Sequence, residues 1–308
     1  MSMNVGFHGL SAFPLTPADE DGVVDVEALA RLIERLDAAD VDSVGLLGST
    51  GSYAYLSRSE RLRAVQAAAE CVKGKRPLIV GVGALRTSES VALARDAEKA
   101  GADALLLAPV SYAPLTQEEA YHHFAAVAGS TSLPLCIYNN PSTTQFVFGD
   151  ELLVRLAYIP HIRAAKMPLP SDMAFRDELE RLRPRLGEGF AIGYSGDWGA
   201  SQAVLQGADC WYSVIGGLLP VPSLRLLRAA KAADEAEVQR IEAYFQPMWA
   251  LFKEFGSYRV VYAAANLLSL THHQPPLPVM PLSVSDCARV EDALATLSEL
   301  DGLPAATP

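Results

Sequence analysis

Eight short apolar runs recur along this chain, and a helical pattern follows each of them. The runs cover residues 9–16, 44–47, 77–82, 102–108, 133–138, 160–168, 190–194 and 207–215. A strand that is apolar on both sides needs cover on both faces, which is the condition of a parallel sheet in an α/β protein. Helix starts are legible between the runs. Asp25 precedes Val26, Leu29, Leu32, Ile33 and Leu36 at helical spacing, and Ser57–Glu60 and Thr116–Glu119 read as capping boxes. Eight such βα units predict closure into a (β/α)8 TIM barrel. The rival, a doubly wound open sheet, is weaker because no GxGxxG follows the first run. Beyond Pro220 the pattern turns helical over 223–233, 235–255 and 259–270. A Pro-rich link then leads to a last helix over 285–300. The expected organisation is a barrel over residues 1–220 and a C-terminal helical extension over 221–308.

The charge balance narrows the partners. Thirty-six acidic residues against 25 basic ones give a net charge of −11, and the basic residues form no long run. Nucleic acid and an anionic membrane surface are therefore not expected partners. A small anionic substrate stays open, because local dipoles can overrule global charge. Cys71, Cys136, Cys210 and Cys287 lie far apart without CxxC pairing and read as buried thiols of a reducing compartment. No apolar run approaches the roughly 20 residues needed to span a bilayer. The first residues also lack a basic stretch followed by an apolar core. A cytoplasmic protein is expected.

Of six lysines, five (Lys73, Lys75, Lys99, Lys231, Lys253) sit among charged or loop residues. Lys166 alone ends an apolar run, with Pro168 and Pro170 forbidding a helix directly after it. Desolvation makes a lysine amine nucleophilic, so this position is a candidate Schiff-base former. The plain alternative is a packed stem with its ammonium in water. Barrel active sites lie at the C-terminal strand ends, where the polar loops 48–52, 138–144 and 195–198 also fall. Gly48-Ser49-Thr50-Gly51 can form a carboxylate-binding nest of amides and hydroxyls, or an ordinary tight turn; it is not a P-loop. Tyr138 is either a proton-shuttling phenol or a core tyrosine. The adjacent pairs His122-His123 and His272-His273 are expected to point to different faces. Without HxH or HxxxH spacing, no metal site is expected. Trp198, Trp211 and Trp249 read as core or interface anchors.

Together these segments resemble the dihydrodipicolinate synthase / N-acetylneuraminate lyase family of class I pyruvate-dependent aldolases, over nearly the whole chain. Phe13-Pro14-Leu15-Thr16-Pro17 is similar to the family's TPF-type strand and Gly48-Ser49-Thr50-Gly51 to its GTTG loop. Tyr138-Asn139-Asn140-Pro141 is similar to its YNxP segment and Ser195-Gly196-Asp197 to its SGD turn. Lys166 falls where the Schiff-base lysine falls, a little under thirty residues after the tyrosine. The resemblance implies that Lys166 attacks the ketone of pyruvate to give an iminium. Loss of a C3 proton then gives an enamine that attacks an aldehyde; the reverse cleaves an aldol. It implies that Tyr138 relays protons and that Ser49 and Thr50, flanked by Gly48 and Gly51, hold the carboxylate. Gly196 and the backbone near Tyr212 would line the lysine pocket. A residue after the fourth strand of a neighbouring subunit, here Ser111 or Tyr112, would complete the relay. It further implies a homotetramer built as a dimer of dimers, without metal or organic cofactor.

Three positions depart from the family pattern. Ser52 stands where GTTGE has glutamate, and Thr143 stands where the synthases carry an arginine for the aldehyde's carboxylate. Val110-Ser111-Tyr112 replaces a tyrosine pair. Threonine cannot supply bidentate carboxylate recognition, so the second substrate is expected to differ from that of the synthases. The expected activity is that of a Schiff-base lyase or synthase. The alternatives are a 2-keto-3-deoxy sugar acid dehydratase using the same imine, and a non-catalytic keto-acid-binding barrel.

Overall fold

The computed structural model describes residues 6–302; the outer ends of the expected 1–220 and 221–308 division, residues 1–5 and 303–308, lie outside them. Eight strands are formed: β1 (Gly9–Ala12), β2 (Ser43–Leu46), β3 (Leu78–Gly81), β4 (Ala104–Leu107), β5 (Leu135–Tyr138), β6 (Ile162–Met167), β7 (Ala191–Tyr194) and β8 (Cys210–Ser213). Each pairs in parallel with its sequence neighbours, and β8 pairs with β1, closing the barrel. Most strands are shorter than their apolar runs. After Ala12 the chain leaves the ladder once Phe13 N–H has bonded the Ser213 carbonyl, because Pro14 has no N–H to offer.

The helices on the outside are α1 (Val26–Ala39), α2 (Arg58–Val72), α3 (Thr87–Lys99), α4 (Gln117–Ala128), the single turn α5 (Pro141–Thr144), α6 (Asp150–Ala157), α7 (Phe175–Leu186), α8 (Asp197–Leu205) and α9 (Pro220–Lys231). α9 packs on β1 and α1, in the place of a helix following β8. Three more helices, α10 (Glu235–Phe255), α11 (Ser257–Leu267) and α12 (Val284–Ser298), form the C-terminal part. The Asp25 carboxylate caps α1 through Ala28 N–H, and Thr116 with Glu119 make the reciprocal box of α4. The second expected box is only half made. Ser57 accepts from Glu60 N–H, but the Glu60 carboxylate turns to Val24 N–H and Arg63.

Strand alternation divides the buried apolar residues in two. Leu10, Val44, Leu46, Leu78, Val80, Leu105, Leu107, Ile137 and Trp211 face outward to the helices. Phe13, Ile79, Ala104, Leu106, Cys136, Tyr138, Ala164, Cys210 and Tyr212 fill the interior. The interior is crowded enough to need glycine. A Cβ on Gly45 would lie 2.3 Å from the Phe13 ring, and one on Gly193 2.7 Å from the Tyr212 ring. Two sequence expectations fail here. Only Cys136 and Cys210 are buried, whereas Cys71 and Cys287 are half-buried. The rings of His272 and His273 share one side, 4.3 Å apart, because they lie in an irregular link rather than a helix or strand. No described helix is long and apolar enough to cross a membrane.

Candidate active site

The site follows from register. Tyr138 on β5 is the direct cross-strand partner of Lys166 on β6, and Lys166 is in turn the partner of Gly193 on β7. Side chains of paired residues point to one face, here the barrel interior. Ala164, two residues before Lys166, already faces inward, so period-two alternation places the lysine in the upper interior rather than among the helices. Lys166 is 3% exposed. Its Nζ lies 3.9 Å from the Phe13 ring centroid, 4.3 Å from that of Tyr138 and 5.7 Å from that of Tyr212. Among the described residues no carboxylate lies within ion-pair distance of it. The amine is thus walled by three aromatic faces.

The Tyr138 hydroxyl lies 3.2 Å from Ser49 Oγ and accepts a hydrogen bond from Asn140 Nδ2 at 3.0 Å. Asn139 N–H bonds the Lys166 carbonyl, tying the loop after β5 to β6. Ser49, Tyr138 and Lys166 are thereby brought to one place, with Thr50 buried in the same loop and Gly48 against Phe13. Two residues of this loop adopt left-handed backbone: Leu47 at φ 56° and Ser52 at φ 57°. Strain of this kind in non-glycine residues persists only where surroundings enforce it. At Ser52 the enforcement is visible. Its Oγ contacts the hydroxyls of Tyr258 at 2.6 Å and Tyr262 at 2.9 Å, both from α11.

The other expected site residues range from exposed to fully buried. Thr143 is exposed and its hydroxyl donates to the Asn140 carbonyl. Gly196, at φ 98°, packs against Leu169 and stands at the N-cap of α8. Tyr212 is fully buried below the amine, with its hydroxyl 3.5 Å from Cys136 Sγ. Burial pushes the Cys136 thiol up to about 12 and raises the Tyr212 phenol well above its ordinary value, so both stay protonated. Tyr112 is 99% exposed on the loop after β4.

Tyr53 and Arg61 emerge only from the structure, as do the contacts made by Phe13, Asn140 and Asp197, which the sequence showed only as members of motifs. Asp197 is buried and accepts from Trp211 Nε1, Ser213 Oγ and Ile215 N–H at 2.8, 2.8 and 3.0 Å, locking the end of β8 to α8; burial raises its carboxyl above the usual range. Phe13 carried a signal, since it extends the inward set of β1 by two. Among the described residues, one His/Cys/Asp/Glu cluster could hold a metal: Asp25, His272 and His273, with ligand atoms within 4.8 Å of one another. None of these residues contacts Lys166 or Tyr138.

A buried lysine on the sixth strand of a parallel barrel, enclosed by aromatic faces and beside a hydrogen-bonded phenol, is an arrangement that can support carbinolamine and imine formation. Comparison with known proteins gives the family. The family model described as "Dihydrodipicolinate synthetase family" matches residues 6–297. The 4-hydroxy-tetrahydrodipicolinate synthase of Corynebacterium aurimucosum is 34% identical over 90% of this chain and 89% of its own. That of Alkalilimnicola ehrlichii is 32% identical over 96% and 100%. A crystal structure of a dihydrodipicolinate synthase from Agrobacterium tumefaciens superposes with a TM-score of 0.95 at 67% identity, covering 96% of this chain and 100% of that one. One from Acinetobacter baumannii, complexed with pyruvate, gives 0.85 at 27% identity, covering 95% and 99%. The chain belongs to the dihydrodipicolinate synthetase family of class I aldolases.

Proposed function

We propose that this protein is a Schiff-base-forming lyase or synthase that condenses pyruvate with an aldehyde or cleaves the corresponding 2-keto acid aldol. The observation that carries the reading is Lys166, almost fully buried and paired across strands with Tyr138. The Lys166 amine adds to the pyruvate ketone, water leaves, and the iminium draws electrons from C3. A proton passes from C3 toward the Tyr138 oxygen, and the enamine carbon bonds the aldehyde carbon. Ser49, hydrogen-bonded to Tyr138, and Thr50 hold the carboxylate between Gly48 and Gly51. Gly196 and Tyr212 shape the floor and rim of the pocket.

The second substrate is where this chain parts from its synthase relatives. Thr143 is exposed and turned onto its own backbone, so it offers a distal carboxylate no bidentate partner. This favours an aldehyde other than that of the lysine-pathway synthases, and it keeps dehydration of a 2-keto-3-deoxy sugar acid as the second reading. The fully exposed Tyr112 favours a dimer-of-dimers homotetramer in which this loop meets a neighbouring chain. A cytoplasmic location fits the same reading.

Intact-protein mass after incubation with pyruvate and borohydride tests it. The expected outcome is one reduced adduct, mapped to Lys166 and lost in Lys166→Ala. An adduct of equal yield in Lys166→Ala would sink the assignment, and pyruvate binding without any adduct would favour a non-catalytic keto-acid-binding barrel.

A further inference from the structure

The imine chemistry makes no use of the paired histidines at 272 and 273, yet the fold gathers them with a carboxylate. His272 and His273 lie in the irregular link between α11 and α12, and Asp25 is the N-cap of α1 on the barrel. Asp25 and His273 are 248 positions apart in sequence, but His273 Nε2 lies 3.2 Å from Asp25 Oδ2. The His272 ring sits beside that of His273, with centroids 4.3 Å and planes 33° apart. One ligand atom from each of the three residues lies within 4.8 Å of the other two.

Two of these residues are fixed by further contacts. Asp25 Oδ1 accepts from Ala28 N–H at 2.9 Å, which leaves Oδ2 for His273. The backbone of His273 is held at both ends: its N–H donates to Thr271 Oγ1 at 3.1 Å, and its carbonyl accepts from Asn266 Nδ2 at 2.9 Å. Asn266 Nδ2 also donates to the Tyr262 carbonyl at 2.8 Å, so the link is tied to α11. The His272 side chain is exposed and makes no hydrogen bond among the described residues. A partly exposed His–Asp pair contributes little by itself and does not require a second imidazole at its side.

The donor set selects the ligand. Two imidazole nitrogens and one carboxylate oxygen, without a thiolate, suit a borderline divalent ion such as Zn2+, Co2+ or Ni2+. Mg2+ and Ca2+ favour shells built from oxygen alone. Bonds of about 2.0–2.2 Å put tetrahedral ligand atoms roughly 3.3 Å apart. The Asp25–His273 pair already has that spacing, at 3.2 Å. His272, being exposed, closes the remaining distance by turning its side chain.

We propose that Asp25, His272 and His273 form a zinc-type divalent metal site that clamps the C-terminal link to the start of α1. The ion takes one oxygen and two nitrogens from the chain and completes its shell with water. All three ligands meet only when the link is docked on the barrel, so binding stabilises the folded chain by mass action. The site is independent of the imine reading, since none of its residues belongs to the surroundings of Lys166.

Calorimetric titration of the full chain with zinc chloride tests the site, and a thermal melt tests the clamp. The expected outcome is one ion per chain, with a melting temperature higher by a few degrees at a hundredfold excess over Kd. His272→Ala removes an exposed ligand, and Asp25→Asn keeps an N-cap acceptor while losing the charge. Each should weaken binding by about 10–100-fold or more, the scale reached by losing even an outer partner of a metal ligand. Each should also remove most of the thermal shift. His122→Ala, which deletes the exposed His122–Glu118 pair of α4, should leave both readouts at wild-type values. Absence of one-per-chain binding in wild type would overturn the site, as would equal affinity for magnesium chloride. Binding that survives in both His272→Ala and Asp25→Asn, or is lost in His122→Ala, would place the ion elsewhere and overturn it too. Binding at this site with no rise in melting temperature would overturn the clamp.

Discussion

At the scale of single residues, the site depends on what surrounds the lysine as much as on the lysine. Phe13 forms the nearest aromatic wall, 3.9 Å from Nζ, and its ring occupies the space that a Cβ on Gly45 would need. Gly45→Ala therefore forces the ring to move. The expected cost is about 1–3 kcal/mol, typical of overpacking a core, together with slower adduct formation as the wall shifts off the amine. A thermal melt and a timed borohydride trap read the two effects. An unchanged trap rate would mean that the Phe13 contact does not matter to the amine. Lys166 and Tyr138 were legible in the sequence, because a polar residue ending an apolar strand is conspicuous. Arg61 was not, since an arginine in a helical pattern reads as a solvated face, and only the α2–β3 packing takes it out of water.

At the scale of elements, helix starts were legible where side chain and backbone cooperate locally, as at Asp25 and Thr116. The Ser57 start was half right, because Glu60 found a distant partner, Val24 N–H, that local spacing does not reveal. The contact between α3 and α4 carries a measurable signature. His123 on α4 is buried, with Nδ1 2.9 Å from Thr87 Oγ1 and Nε2 without a partner, and burial lowers its pKa. The unfolded chain binds a proton at this histidine near pH 6.5, but the folded chain does so only at lower pH. Stability at this site is thus complete above about pH 6.5 and lost as pH falls below it. The melting temperature of wild type should drop more between pH 7.5 and 5 than that of His123→Gln. Parallel curves for the two proteins would refute the origin assigned here.

At the scale of the whole molecule, the C-terminal helices are not a passive cap. Tyr258 and Tyr262 of α11 reach the barrel mouth and hold Ser52, at the end of the loop that carries Ser49 and Thr50. Tyr262 also donates to the Thr16 carbonyl beyond β1. In the place of the family's glutamate, a serine and two phenols fix the loop. Tyr262→Phe removes one hydroxyl and leaves the ring. It is expected to cost about 1 kcal/mol of stability and to raise the pyruvate concentration needed for half-maximal adduct, with little change in the limiting trap rate. A fall in the limiting rate with an unchanged concentration dependence would contradict the loop-holding role.

What the sequence determined by itself was whatever repeats locally. Eight apolar runs in alternation with helical periodicity specify strands covered on both faces, and Lys166 at the end of one of them points to amine chemistry. Tertiary structure decided the pairings between distant segments. It set the register that puts Tyr138 beside Lys166, the closure of β8 on β1 that brings Tyr212 under the amine, and the docking of α11 onto Ser52. Periodicity tells a residue which face it occupies, but contact across strands and across the barrel depends on register and packing, which no local pattern encodes.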